Sequence, residues 1–306
     1  MTAKSVTARA PCSTANLGPG FDVFGLALDA YYDEVELRKE GTSIRIESSD
    51  AVPSEPEKNS AGLVVSEMAK KFKIKTGIVV TIRKGVPAGF GMGSSAASAA
   101  AAAVAFDSLF KLHLDANDLV RYAGMGEMAS AGSIHYDNVA ASVLGGFVIV
   151  RTCPLDVITA RPPRGLVLCV AIPKIPVPQK KTEVSRRALP KNVSLPDHVR
   201  NLSQASALAA GFMRGDVSLI GSSINDIIVE PARKHLIPGF DAVKKNALKA
   251  GAMGVTISGA GPSVIAFASQ SSNHGKISQS MRRGFASAGV QCTTVVCRPS
   301  RGASVA

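Results

Sequence analysis

Apolar and polar residues alternate along two stretches near the start of the chain, EVELRKE (Glu34 to Glu40) and SIRIES (Ser43 to Ser48). A period of two belongs to a half-exposed strand, and Gly41 between the stretches suits a turn, so the pattern predicts an antiparallel pair. LVVSEMAKKF, from Leu63, has helical spacing, and GIVVTIRKGV, Gly77 to Val86, reads as a strand. A long alanine-rich helix, a second helical segment from Asp115 to Met128 and the apolar strand GGFVIV (Gly145 to Val150) follow. In TCPLDVITARPPRG, prolines 154, 162 and 163 interrupt regular structure and mark a junction between two domains, residues 1–160 and 161–306. The second opens on a buried strand, LVLCVAIP, and runs through a basic, proline-broken connection, PKIPVPQKKTEVSRRALPKNVSLPD, to a helix at Leu202 to Arg214. Its remainder reads as helix (Phe240 to Ala250), strand (Gly254 to Ser258), glycine loop (Gly259 to Pro262), strand (Ser263 to Ala268), helix (Lys276 to Ala288) and strand (Val290 to Cys297).

Composition narrows the class. With 306 residues, 46% of them hydrophobic, the chain can bury a sizeable core and has no bias towards disorder. The alanine-rich run Ala96 to Phe106 is too short to span a bilayer, and MTAKSVTARAP has no apolar leader, so a cytoplasmic protein without a membrane partner is expected. Five cysteines at unrelated spacings fit neither a disulfide framework nor a zinc site. The net charge of +12 lies entirely in the second half: residues 1–150 hold 14 Lys/Arg against 16 Asp/Glu, residues 151–306 hold 21 against 7. That excess suits nucleic acid, anionic metabolites or a solvated face alike. The basic half has few aromatics and no recognisable module, so nucleic acid is not the expected partner.

The chemistry concentrates in four places. VPAGFGMGSSAAS brings glycines 89, 91 and 93 ahead of Ser94, Ser95 and the alanine helix. Such glycines admit positive φ and close approach of N–H groups to an anion, and a helix N-terminus favours phosphate. The loop has no lysine after its last glycine and is not a Walker A motif; a tight turn into a packed helix reads equally well from the loop alone. ANLGPGFD places Asn16 and Asp22 around a Gly-Pro-Gly turn, where they could hold an ammonium group or only satisfy backbone donors. GEMASAGSIHYDNVAAS puts Glu127 in an apolar helical segment, where it needs a partner such as a metal ion, and sets Asp137 and Asn138 in a loop, with His135 as a structural residue. SRRALP and EPARKHLIPGF supply Arg186, Arg187 and Arg233, forks suited to a carboxylate. SGAGPS, Ser258 to Ser263, is a second close-approach glycine loop or a plain hairpin turn.

In order and spacing, ANLGPGFD, the segment from Pro87 to Ala97 and SGAGPS resemble the three motifs of the GHMP kinases. ANLGPGFDVFGLAL, GSIHYDNVAAS, SRRALP and EPARKHLIPGF are most similar to the homoserine kinase branch of that superfamily, along nearly the whole chain. The resemblance implies a two-domain α+β fold, with a left-handed β-α-β unit in the N-terminal domain and a ferredoxin-like C-terminal domain. It implies ATP bound by Pro87, Ala88, Gly89, Phe90, Gly91, Met92, Gly93, Ser94, Ser95, Ala96 and Ala97, and Mg²⁺ held by Ser95 and Glu127. The implied acceptor, L-homoserine, would have its ammonium on Asn16 and Asp22 and its carboxylate on Arg186 and Arg233, with Arg187 as alternative to Arg186. Its hydroxyl would be aligned by Asn138, with Asp137 as a base the other option. The implied product is O-phospho-L-homoserine, on the route to threonine, and a homodimer is the assembly relatives suggest. The rivals are another GHMP kinase, such as a mevalonate kinase, and a nucleotide-binding regulator without catalysis.

Overall fold

The computed structural model describes residues 4–48, 50, 52–131, 134–178 and 181–306, with the side chains of 130 and 131 excepted. Residues 132 and 133 of the GSIHYDNVAAS stretch and 179 and 180 of the basic connection lie outside the described residues. In chain order the first half contains β1 (Ser5–Ala15), β2 (Phe24–Lys39), β3 (Ile44–Ser48), α1 (Ser60–Lys71), β4 (Ile78–Arg83), α2 (Ser94–Phe110), α3 (Ala116–Ala131), α4 (Tyr136–Leu144), β5 (Phe147–Thr152) and β6 (Leu155–Ala160). The second half contains β7 (Leu166–Pro173), α5 (Lys181–Arg187), α6 (Leu195–Arg214), α7 (Val217–Ser222), α8 (Val229–Arg233), α9 (Phe240–Lys249), β8 (Gly254–Ile257), β9 (Val264–Ser269), α10 (His274–Ala286), β10 (Cys292–Cys297) and the short β11 (Ser304–Val305).

Two sheets organise these elements. The first runs β11-β1-β2-β4-β3, with β5 also on β2 and β6 on β5. The alternating stretches do not pair with each other: β2 is antiparallel to β4, β3 is parallel to β4, and the chain between β3 and β4 returns through α1. The turn at Gly41 therefore releases the chain to the far side of a strand that comes later. The second sheet has the order β10-β7-β9-β8. Counted along the chain, that is fourth, first, third, second, the ferredoxin-like arrangement built from a β-α-β-β-α-β succession.

Three further expectations give way. The proline-marked junction contains β6, which forms a hairpin with β5 in register from Phe147–Ala160 to Thr152–Leu155; Pro162 and Pro163 stop the chain only after it. The basic connection contains α5, and α6 begins at Leu195, earlier than its apolar spacing suggests, because Ser194 caps it through Asp197 N. Asp137 and Asn138 occupy the first turn of α4, not a loop.

Burial follows from the same patterns. In β7 every residue is buried, as a strand covered on both faces requires. Leu166, Leu168, Val170 and Ile172 face the core shared with the first sheet, whereas Cys169 and Ala171 face α9 and α10. Phe147 and Phe212 stack with centroids 3.9 Å apart, so the two halves share one apolar core. After β10 the chain crosses back, and β11 pairs with β1. Among the described residues no helix is long and apolar enough to cross a membrane.

Candidate active site

A cavity of about 750 Å³ lies where the two halves meet, and it is lined by Asn16, Asp22, Gly89, Gly91, Gly93, Ser94, Ser95, Glu127, Asn138, Arg186 and Arg233, among others. Its floor is the glycine loop. Gly89, Gly91 and Gly93 have φ of 84°, 75° and 66°, a left-handed run that side chains resist. Gly93 caps α2, and no side chain caps that helix, so its first-turn N–H groups remain available to an anion. Ser94 does not cap; its Oγ donates to Val86 O at 3.0 Å and closes the loop's mouth. Ala96 to Ala103 are buried, so the small side chains let α2 sink into the core with its N-terminus at the cavity.

Beneath the loop lies a buried ion pair. Asp33 is fully buried; one of its oxygens accepts from Gly85 N and Val86 N, each at 3.0 Å, and the other accepts from Lys84 Nζ and Ser98 Oγ. Lys84 Nζ also donates to Ser94 O at 3.0 Å and to Ser98 Oγ at 2.8 Å. One carboxylate and one ammonium thus fasten the start of the loop to the start of α2.

Ser95 Oγ donates to Glu127 Oε1, and His135 Nδ1 stands 3.3 Å from Glu127 Oε2. Glu127 is buried, as its apolar helix predicts, and it reaches the first turn of α2 from α3. Two hard oxygen donors in contact, one of them a buried carboxylate braced from behind, have the chemistry that would suit a hard divalent cation such as Mg²⁺. Among the described residues no cluster of three or more His, Cys, Asp or Glu offers a cage made of protein alone.

Opposite, Arg186 Nη2 donates to both oxygens of Asp22 at 2.9 Å. Arg233 is buried; its Nε donates to Ser185 O at 3.1 Å. The guanidinium carbons of Arg186 and Arg233 lie 5.4 and 5.0 Å from the centroid of Phe21, so one ring carries both cations. Burial, and then the neighbouring Arg186, push the pKa of Arg233 down to about 10. Asn16, left-handed at φ 69°, accepts from Asp22 N at 3.1 Å and donates to Gly259 O at 2.8 Å. Its amide fastens the Gly-Pro-Gly turn to the SGAGPS hairpin, which is the backbone role open to it from sequence, and leaves its Oδ1 a second lone pair. Arg187 points away to Glu183 on the surface.

Asn138 sits beside the loop. Ser13 Oγ accepts from Ser142 Oγ at 3.2 Å and shares its proton between Asn138 O (3.1 Å) and Asn138 Oδ1 (3.0 Å). A Cβ on Gly93 would lie 2.2 Å from Ser13 Oγ and 3.1 Å from Asn138 Oδ1, so the third loop glycine also makes room for this pair. Asp137 is buried, and its Oδ1 accepts from Asn138 N at 2.8 Å. Burial, and then the charge of Asp22, raise its pKa to about 6.

Sequence reasoning passed over Ser13, Phe21, the Asp33–Lys84 pair and Lys181, all of which brace or line the cavity. Only Asp33 left a signal, since it shares the inward face of β2 with Val35 and Leu37 where a carboxylate must be paired.

The known proteins resembling this chain agree with that architecture. Residues 59–146 match the GHMP kinases N terminal domain, and residues 207–287 match the GHMP kinases C terminal family. A homoserine kinase of Thermoplasma volcanium is 43% identical over 267 residues, covering 87% of this chain and 85% of the relative. One of Aeropyrum pernix is 41% identical over 317 residues, covering 100% and 99%. The crystal structure of homoserine kinase from Cytophaga hutchinsonii superposes with a TM-score of 0.93 at 38% identity, covering 100% of this chain and 98% of that one. The fold and the glycine-loop cavity are those of an ATP-dependent kinase of small molecules. Within that class the chain belongs to the GHMP kinases and, among them, to the homoserine kinase family.

Proposed function

We propose that this chain transfers the γ-phosphoryl group of ATP to the side-chain hydroxyl of L-homoserine, giving O-phospho-L-homoserine for threonine biosynthesis. The observation that carries the residue assignment is one cavity with an anion loop on one wall and, on the other, Asp22 paired with Arg186 beside Arg233. A zwitterion can replace that internal ion pair by two external ones, ammonium on Asp22 and carboxylate between Arg186 and Arg233. Asn16 Oδ1 offers the ammonium a second acceptor.

At the other wall, the residues from Pro87 to Ala97 hold the triphosphate through main-chain N–H groups and the N-terminus of α2. Ser95 and Glu127 would hold Mg²⁺, which would supply neutralisation of the triphosphate's charge. Asn138 aligns the hydroxyl, its orientation set by Ser13. Asp137 acts through the main chain of Asn138, not as a base. Catalysis is then positioning and charge neutralisation. The accompanying assembly is a homodimer in the cytoplasm, supported by the exposed face of α6 at Leu195, Val199 and Leu202; light scattering after gel filtration checks it.

The test is Mg²⁺- and ATP-dependent ADP release with L-homoserine, mevalonate, galactose and shikimate supplied one at a time. Turnover confined to L-homoserine is expected. Turnover with mevalonate and not homoserine would overturn the assignment, and silence with all four would favour a regulator.

A further inference from the structure

Lys181 opens α5, and its Nζ donates to the main-chain oxygen of Gly261 in the hairpin between β8 and β9. The phosphate loop rests on the same hairpin: a Cβ on Gly91 would come within 2.1 Å of Ser258 O and 2.7 Å of Gly261 O, and Ser258 Oγ donates to Gly91 O at 2.8 Å. A few residues earlier in the connection, Val177 covers Gly89, where a Cβ would meet its Cγ1 at 2.7 Å. One carbonyl oxygen therefore has the Lys181 ammonium as its donor and the middle glycine of the loop in contact. Lys181 lines the cavity together with Gly89, Gly91, Ser95 and Arg233.

The chemistry calls for a cation at that point. Pro87 to Ala97 contain no Lys or Arg, although a triphosphate brings several negative charges. Lys84 is committed to Asp33, Ser98 and Ser94, and Arg186 to Asp22. The recorded acceptor of Lys181 is a neutral carbonyl, and an ammonium has three protons to donate. Burial, and then the charge of Arg233, push its pKa down to about 8. An anion placed beside it would reverse that cost.

We propose that Lys181 is a catalytic residue whose ammonium contacts the transferred phosphoryl group, supplying from the second half of the chain the cation that the phosphate loop lacks. The inference rests on the homoserine kinase reading. In the step, the bond from the γ-phosphorus to the β,γ-bridging oxygen breaks and a bond to the homoserine oxygen forms. The hydroxyl proton is released to solvent, and Lys181 keeps its own proton while its charge stabilises the equatorial oxygens.

The charged groups facing the cavity around Lys181 are Arg233 from α8, Arg186 and Glu183 from α5, and Asp22 from the Gly-Pro-Gly turn. Asp137 and His135 at the start of α4, Glu127 from α3, and Lys84 and Lys58 complete the set among the described residues.

The experiment measures kcat and KM for ATP and for L-homoserine from pH 6 to about pH 10 in the wild type, Lys181→Met and Lys181→Arg. For the wild type, kcat/KM for ATP is expected to fall as pH rises through about 8, with the limb in kcat displaced upward because bound phosphate holds the proton. Lys181→Met should lose on the order of 10²-fold in kcat with the homoserine KM changed by less than about threefold. Lys181→Arg should keep most of kcat and carry activity past the wild-type limb. A raised homoserine KM with kcat intact would make Lys181 a third carboxylate anchor and overturn the inference, as would unchanged kinetics in both variants. A wild type without homoserine turnover would instead overturn the functional reading, taking the inference with it.

Discussion

Glu127 and Asp137 are both buried carboxylates, yet their surroundings ask different things of them. Glu127 has Ser95 and His135 within reach at the cavity wall, so Glu127→Gln should lower kcat by on the order of 10²-fold while ATP affinity changes far less. Equal losses in kinetics and in nucleotide titration would count against the metal-binding role proposed for it. Asp137 has a folded-state pKa of about 6 against an ordinary 3.8, so it binds its proton more tightly folded than unfolded. Its effect on stability is therefore neutral below the ordinary value, grows unfavourable as pH rises from 3.8 to about 6, and is constant above. Asp137→Asn keeps a carbonyl oxygen for Asn138 N and should raise stability at pH 7 by up to about 3 kcal/mol, with little gain at pH 4. Denaturant melts at the two pH values check it. If Asp137→Asn instead costs more than about 10²-fold in kcat, Asp137 is a general base.

At the scale of elements, the Asp33–Lys84 pair decides the shape of the glycine loop, because it joins β2, the exit of β4 and the first turns of α2 through one carboxylate. Asp33→Asn leaves Lys84 without its counter-ion in a largely buried site; a loss of about 3–5 kcal/mol is expected from breaking one partner of such a pair. A change under about 1 kcal/mol in urea unfolding would show that the hydrogen bonds, not the charge, hold the loop. The pair also shows where the sequence was informative. Period-two alternation marked a strand over Glu34 to Glu40, and Asp33 shares the buried face of Val35 and Leu37 just before it, but its partners lie 51 to 65 residues away, and local patterns carry no such distance. For the same reason the expected pairing of β2 with β3 failed: alternation reports one exposed and one buried face, and it is silent on which strand lies alongside. The glycine loop and α2 were legible because positive φ and alanine burial are written in residue types. The turn of α4 under Asp137 was not, since its helix is short and begins without a capping side chain.

Across the whole molecule, the cavity exists because the halves meet through glycines. Gly91 of the first half touches Ser258 O and Gly261 O of the second, and Asn16 bonds Gly259 O. Gly91→Ala would set a Cβ 2.1 Å from Ser258 O at a φ of 75°, so the loop must lift off the hairpin. Activity should fall by more than about tenfold, as misplacement of reacting groups by about an ångström does, while the circular dichroism spectrum remains that of the wild type. Unaltered kinetics would mean that the contact is incidental. Asp22 and Arg186 were readable as residue types able to anchor charged groups, but not their mutual ion pair, which forms across 164 residues of chain. That pair carries the central claim, because only a substrate with both an ammonium and a carboxylate can replace it. The most direct test is kcat/KM with Mg²⁺ and ATP for L-homoserine against 4-hydroxybutyrate, which retains the hydroxyl and carboxylate and lacks the ammonium. A preference for L-homoserine of on the order of 10³-fold is predicted, as for a buried polar site left unpaired by the analogue, and comparable turnover of the two would contradict it.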